Sequence, residues 1–189
     1  MNNRLRIIGG LWRGRKIDFP DRPGLRPTSD RMRETLFNWL RLEVEHACCL
    51  DLFAGSGALG FEAASRGASR VVMIDSDPVA LGTLKQNIRL LGATQIDLIQ
   101  ADYSNYLRQH PREPVFDLVF LDPPFHKEML QPACDLLAAG WLKNGARIYV
   151  ETALPGLPSL PSRWQLLKTV RMGQSHCFLF QDNPPSSTF

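Results

Sequence analysis

Asp122-Pro123-Pro124-Phe125 follows directly on the apolar run Leu118-Val119-Phe120-Leu121, and these four residues suit one chemistry, the methylation of an exocyclic amine on a nucleobase. Such an amine is a poor nucleophile because its lone pair is delocalised into the ring. Two acceptors can localise it, the Asp122 carboxylate and the Pro123 backbone carbonyl, each taking one N–H. Consecutive prolines fix φ and remove competing donors, which preorganises that carbonyl. Asp122 then acts as acceptor first and proton sink second. Phe125 can stack on a base that has left its helix or loop. By themselves the four residues also fit a turn, with Asp122 as cap and Phe125 in the core.

A second motif changes that balance. Asp51-Leu52-Phe53-Ala54-Gly55-Ser56-Gly57-Ala58-Leu59-Gly60 places a glycine-rich turn between a strand and a helix, where the backbone can approach a ligand and free N–H groups can meet an anion. Gly55, Gly57 and Gly60 satisfy G-x-G-x-x-G, so a nicotinamide or flavin enzyme is an alternative. Three acids favour S-adenosyl-L-methionine, with S-adenosyl-L-homocysteine as product. Asp51 can attract the methionine ammonium group. Asp75, with Ser76 beside it, ends the second strand and can accept the ribose hydroxyls; Asp102, with Tyr103 beside it, can meet the adenine amino group. Phe53 to Gly57 complete the expected cofactor contacts. Each acid could instead cap a helix, but ligands of open α/β sheets bind where strands end.

The elements that must position these groups alternate strand and helix. Strands are expected near 48–53, 71–75, 96–100 and 117–121, and helices near 58–66, 78–91 and 127–139. This alternation predicts an α/β fold with a Rossmann-like doubly wound sheet. Three further strands near 146–151, 164–170 and 176–181, the last two a hairpin around Met172-Gly173, bring it to seven, the last antiparallel. Upstream, Arg4 to Ile8, a Gly9-Gly10 turn and Leu11 to Ile17 read as a basic β-hairpin. A Pro/Gly/Arg linker leads to a helix over 29–42 capped by Ser29 or Asp30. The expected division is hairpin and linker over 1–28, the catalytic domain over 29–182, and a frayed tail over 183–189.

The 189 residues and 44% hydrophobic content suit one ordinary soluble domain, with no apolar stretch of about 20 residues and no export signal. Four cysteines lack metal or disulfide spacing, so neither a metal nor a disulfide framework is expected, and the protein is placed in the cytoplasm. The net charge of +3 hides an asymmetry: residues 1–33 hold nine Lys/Arg against three Asp. A positive N-terminal segment suits a polyanionic partner, and a solvated basic face is the alternative.

Three N-terminal stretches are more specific: Arg6 to Arg15 (RIIGGLWRGR), Gly24 to Thr28 (GLRPT) and Arg33 to Leu40 (RETLFNWL). With Asp51 to Gly60 and Leu121 to Phe125 they make the chain resemble the bacterial 16S rRNA (guanine(966)-N2)-methyltransferase family, RsmD, over nearly its whole length. The second-strand acid, often Glu in that family, is Asp75 here, and a tyrosine expected near Gly173 to Phe178 is missing. The resemblance implies S-adenosyl-L-methionine as donor, one guanine N2 of 16S rRNA as target, and a small ribosomal subunit as partner; a monomer is expected, although the sequence does not fix the oligomeric state. It also implies that hairpin and linker grip RNA phosphates through Arg6, Arg13, Arg15, Lys16, Arg26 and Thr28. Trp12 either stacks on RNA or packs against the domain. A DNA adenine-N6 methyltransferase and a non-catalytic RNA-binding assembly factor are the rival readings.

Overall fold

The computed structural model describes residues 3–22, 28–124, 128–153, 157 and 159–183. Seven strands form one sheet: β3 (Cys48–Asp51), β4 (Arg70–Asp75), β5 (Ile96–Gln100), β6 (Phe116–Leu121), β7 (Leu142–Ala153), β8 (Trp164–Met172) and β9 (Ser175–Asp182), in the order β5-β4-β3-β6-β7-β9-β8. Strands β3 to β7 are mutually parallel, and β9 enters antiparallel between β7 and β8. This is the expected doubly wound methyltransferase sheet. Its strand order reverses between β3 and β6, the place where open α/β sheets bind ligands.

Helices cover both faces because the parallel strands are apolar on both sides. One face packs α1 (Asp30–Trp39), α2 (Ala58–Ser65) and α3 (Pro78–Leu91) through residues such as Phe37, Phe61 and Leu84. The other packs α4 (Tyr103–Leu107) and α5 (Leu130–Ala138) through Leu107, Cys134 and Leu137. Helix α3 has the predicted ends: Pro78 at its start, Asp77 accepting from Val79 N–H, and Gly92 at φ 64° as the left-handed C-cap. Ser29 caps α1 by accepting from Met32 N–H. Helix α4, five residues capped by Asp102, departs from expectation; it is too short to show a hydrophobic period. Strand β7 runs longer than 146–151 because Leu142 pairs with Phe116 at one end and Ala153 with Ser175 at the other.

The N-terminal hairpin differs from expectation in its register. Its strands are β1 (Asn3–Arg6) and β2 (Lys16–Phe19), so residues 11–14 form turns rather than a strand. The first two of them bond to α2 instead of to a strand: Leu11 N–H donates to the Ser65 carbonyl at 2.7 Å and Trp12 N–H to Ser65 Oγ at 2.9 Å. Gly10 sits so close that a Cβ would overlap the Ser65 carbonyl, which makes this glycine a docking requirement. Trp12 is buried in the core, the packing alternative of the two expected for it.

An ion pair with almost no solvent exposure holds the hairpin and α1 to the sheet. Glu62 on α2 accepts from Ile8 N–H at 2.9 Å, Gly9 N–H at 2.8 Å, Arg66 Nε at 2.7 Å and Arg33 Nη1 at 3.5 Å. Arg33 also donates to the carbonyls of Arg6 and Thr28 and to Asp30. Removing one partner of such a pair strands a buried charge, so Glu62→Ala is expected to lower stability by about 3–5 kcal/mol. Denaturant unfolding checks this, and a loss under about 1 kcal/mol would mean that the pair is not integral to the fold.

Candidate active site

Parallel pairing brings the carboxyl ends of four strands to one edge. Asp51 of β3 sits opposite Met73 of β4 on one side and Phe120 of β6 on the other, and Leu121 of β6 sits opposite Val150 of β7. The residue that follows each of these last two is acidic, Asp122 and Glu151. Side chains alternate faces along a strand, so Asp51, Asp122 and Glu151 lie on the face that carries Phe120 and Tyr149. All three line a cavity of about 830 Å³ that also receives the glycine turn, Asp75, Asp102 and Pro123-Pro124.

The glycine turn is built from close approaches. Gly55 and Gly57 have φ of 50° and 77°, and Gly57 ends the turn as the left-handed N-cap of α2, with no side chain capping that helix. Gly60 N–H donates to Asp51 Oδ2 at 2.9 Å, and a Cβ on Gly60 would meet that oxygen at 3.0 Å. Burial outweighs this hydrogen bond and pushes the Asp51 carboxyl up to about 7. Asp75 accepts Gly55 N–H on one oxygen and Asp77 N–H on the other, which ties the turn to the end of β4. Asp102 commits Oδ1 to the start of α4, accepting from Ser104 and Asn105, and the Ser104 hydroxyl holds it below the usual carboxylate range. The rings of Phe53 and Tyr103, 5.3 Å apart, stand on the same cavity wall, as do Ala54, Ser56 and Ser76.

Asp122 lines the same cavity. Burial raises its carboxyl well above the ordinary value, reinforced by the charges of Glu151 and Asp51, and the Thr28 hydroxyl opposes this by donating to Oδ2 at 3.3 Å. Pro123 and Pro124 also line the cavity, while Phe125 lies outside the described residues. Among the described residues, no group of three or more His, Cys, Asp or Glu could hold a metal ion.

Of the residues expected on RNA, Arg6, Arg13, Arg15 and Lys16 are exposed, Arg6 reaching Asp30 at 3.8 Å and Arg15 the Leu90 carbonyl at 3.1 Å. Arg26 lies outside the described residues. Thr28 is buried against Asp122, a placement in the cavity rather than on the basic surface. Sequence reasoning missed Arg22, whose guanidinium grips Asp77 at the cavity rim, and Glu151. Glu151 carried the signal already used for Asp51, Asp75 and Asp122, an acid closing an apolar strand.

Comparison with known proteins agrees with this geometry. The family model described as Conserved hypothetical protein 95 matches residues 5–181. The Haemophilus influenzae protein named Ribosomal RNA small subunit methyltransferase D is 45% identical over 181 residues, 94% of each chain. The solved structure of Escherichia coli yhhF superposes with a TM-score of 0.89 at 40% identity, covering 97% of this chain and 100% of that one. An RNA methyltransferase from Salinibacter ruber, solved with S-adenosyl-L-homocysteine, shares the fold at 17% identity, with a TM-score of 0.64 over 87% of this chain and 98% of that one. The chain belongs to the RsmD family of class I methyltransferases.

Proposed function

We propose that the protein transfers a methyl group from S-adenosyl-L-methionine to the exocyclic N2 of a guanine in 16S rRNA within the small ribosomal subunit. The observation that carries this reading is the row Asp51, Asp122 and Glu151, three acceptors in one cavity whose side-chain donors among the described residues are Thr28 and Tyr149. Such a site takes a ligand that brings positive charge and N–H groups. The names of the relatives support small-subunit RNA as the polymer. With that substrate the enzyme works in the cytoplasm, as a monomer.

The residues fit S-adenosyl-L-methionine, which when bound supplies an electrophilic methyl group. Asp51 would hold its ammonium, Asp75 and Ser76 its ribose, and Asp102, Phe53 and Tyr103 its adenine. Gly55 and Gly57 would keep the backbone low beneath it, and no metal is required by this assignment. For the base, ionised Asp122 and the Pro123 carbonyl each accept one N–H of the amine, which turns the nitrogen lone pair outward. Asp122 then takes up the proton that the alkylated nitrogen releases. Phe125 stacks on the extruded base, and Pro124 holds the tetrapeptide rigid. Residues 1–28 make the RNA-contacting extension, in which Arg6, Arg13, Arg15, Lys16 and Arg26 meet phosphates.

Incubation with labelled S-adenosyl-L-methionine and undermethylated small subunits is expected to label one guanine at N2; label on adenine or cytosine overturns the assignment. Asp122→Ala is expected to cut single-turnover methylation roughly 100-fold or more while cofactor affinity stays within a few fold. A protonated Asp122 accepts only weakly and cannot take up the released proton, so the wild-type rate rises with pH as its raised carboxyl ionises.

Asp51 makes a second pH-dependent statement. Its pKa is raised from 3.8 to about 7, so its contribution to ligand-free stability is full below about 4 and lost as pH rises through 7. A cation beside it favours the ionised form, so cofactor binding near pH 6 to 7 is expected to release a proton, a release clearly smaller in Asp51→Asn. Calorimetry in buffers of different ionisation enthalpy measures this; equal release by both proteins would refute the role.

Subunit affinity is expected to fall as salt rises. Arg13→Gln, Arg15→Gln and Lys16→Gln together are expected to flatten the log–log slope by about 0.7–0.9 for each phosphate that is no longer neutralised. An affinity indifferent to salt counts against the basic surface.

A further inference from the structure

Glu151 is the one member of the acidic row that neither the cofactor contacts nor the two-acceptor chemistry uses. It closes the apolar run of β7, is 6% exposed and lines the cavity next to Asp122. Its Oε2 is engaged: the Tyr149 hydroxyl donates to it at 2.9 Å, and the phenol oxygen lies 3.2 Å from Cys177 Sγ on the neighbouring strand β9. Burial and the Glu151 charge keep the Tyr149 phenol neutral, so it remains a donor. Among the described residues no donor reaches Oε1, which is not sealed from the cavity. A carboxylate anchored by one oxygen and facing a ligand cavity with the other is set to recognise a donor on that ligand.

The position of that donor follows from the chemistry of the bases. An amine held by Asp122 and the Pro123 carbonyl leaves its ring edge beside the acidic row. In adenine and cytosine the ring nitrogen next to the amine is a bare acceptor, which a second carboxylate repels. In guanine one of the two ring nitrogens flanking the amine-bearing carbon is N1–H, a donor, while the other, N3, is an acceptor. We propose that Glu151 is a specificity-determining residue that accepts guanine N1–H through Oε1, held in orientation by the Tyr149 hydroxyl. The inference rests on the guanine-N2 reading above and deepens it. Asp122, the Pro123 carbonyl and Glu151 together form an edge of three acceptors for the three donors N2–H₂ and N1–H, and adenine leaves Glu151 facing a lone pair. Discrimination of this kind is strong because a mismatched base leaves a buried charged acceptor unpaired. Glu151 is separate from the proton path, since Asp122 remains the group on the reacting nitrogen.

The test places guanosine or 2-aminopurine riboside at the target position of 16S rRNA by splinted ligation, followed by small-subunit reconstitution and single-turnover methylation. 2-Aminopurine keeps the N2 amine but has a lone pair at N1. The wild-type enzyme is expected to methylate it roughly 10- to 100-fold more slowly than guanine, the value of one hydrogen bond to a charged group. Glu151→Ala is expected to slow guanine by a similar factor and to erase most of the difference between the two bases, the non-additivity that marks a direct contact. Glu151→Gln, whose carboxamide can donate or accept, is expected to recover part of the guanine rate and to favour 2-aminopurine relative to wild type. In Glu151→Gln, cofactor affinity by calorimetry is expected to stay within a few fold of wild type and the unfolding midpoint not to fall below it. An equal loss on both bases in both variants, or a weakened cofactor affinity, overturns the inference while leaving guanine N2 as the substrate. Wild-type label on another base overturns the guanine reading itself and this inference with it.

Discussion

The buried carboxylate of Glu62 is the interaction on which the arrangement depends. It sits at 0% exposure in α2, where an unpaired charge would be prohibitive, and its four donors come from three separate pieces of the chain. Ile8 and Gly9 bring the hairpin, Arg33 brings α1, and Arg66 closes the network from the end of α2 itself. Arg33 in turn holds the carbonyl of Thr28, whose hydroxyl reaches Asp122. A single chain of hydrogen bonds therefore runs from the basic extension to the residue proposed to orient the amine. The charges are compensated within this network, and the outcome is positional: the extension has one docking geometry rather than several.

The opposite situation holds at the carboxyl edge of the sheet. Asp51 and Glu151 both raise the proton affinity of Asp122, and the three carboxyls have few donors of their own. Helix α2 and the network beneath it hold the edge in place although the row repels itself. Ligand-free, the row stores unfavourable electrostatics, which under the proposed function a cationic cofactor and an amine-bearing base would relieve. In that reading binding free energy and specificity come from the same groups, and the stability lost at this edge follows from function.

Much of this architecture is legible in the residues. Strand and helix positions in the core follow from apolar runs and from caps such as Asp77, Pro78 and Gly92, because those signals are local. The Asp122 tetrapeptide and the glycine turn are readable for the same reason, since backbone constraints act over a few residues. The hairpin register is not, because Leu11 and Trp12 satisfy their N–H groups on Ser65, which is far away in the chain. Helix α4 escapes a periodicity reading because its stability lies in the Asp102 cap and not in a repeating pattern.

Residue types alone pointed to the class of chemistry: a carboxylate before two prolines, a glycine-lined turn, acids at strand ends and a basic N-terminus. Which acids share a site was decided only by the tertiary structure. Asp51 and Glu151 are distant in the chain, yet parallel pairing through β6 sets them on either side of Asp122. Thr28, read from the linker as an RNA contact, is turned inward because Arg33 holds its carbonyl. Spacing along a chain encodes local geometry, whereas proton affinity and unpaired acceptors depend on which groups are neighbours in space. Those neighbours exist only once the sheet has closed its register.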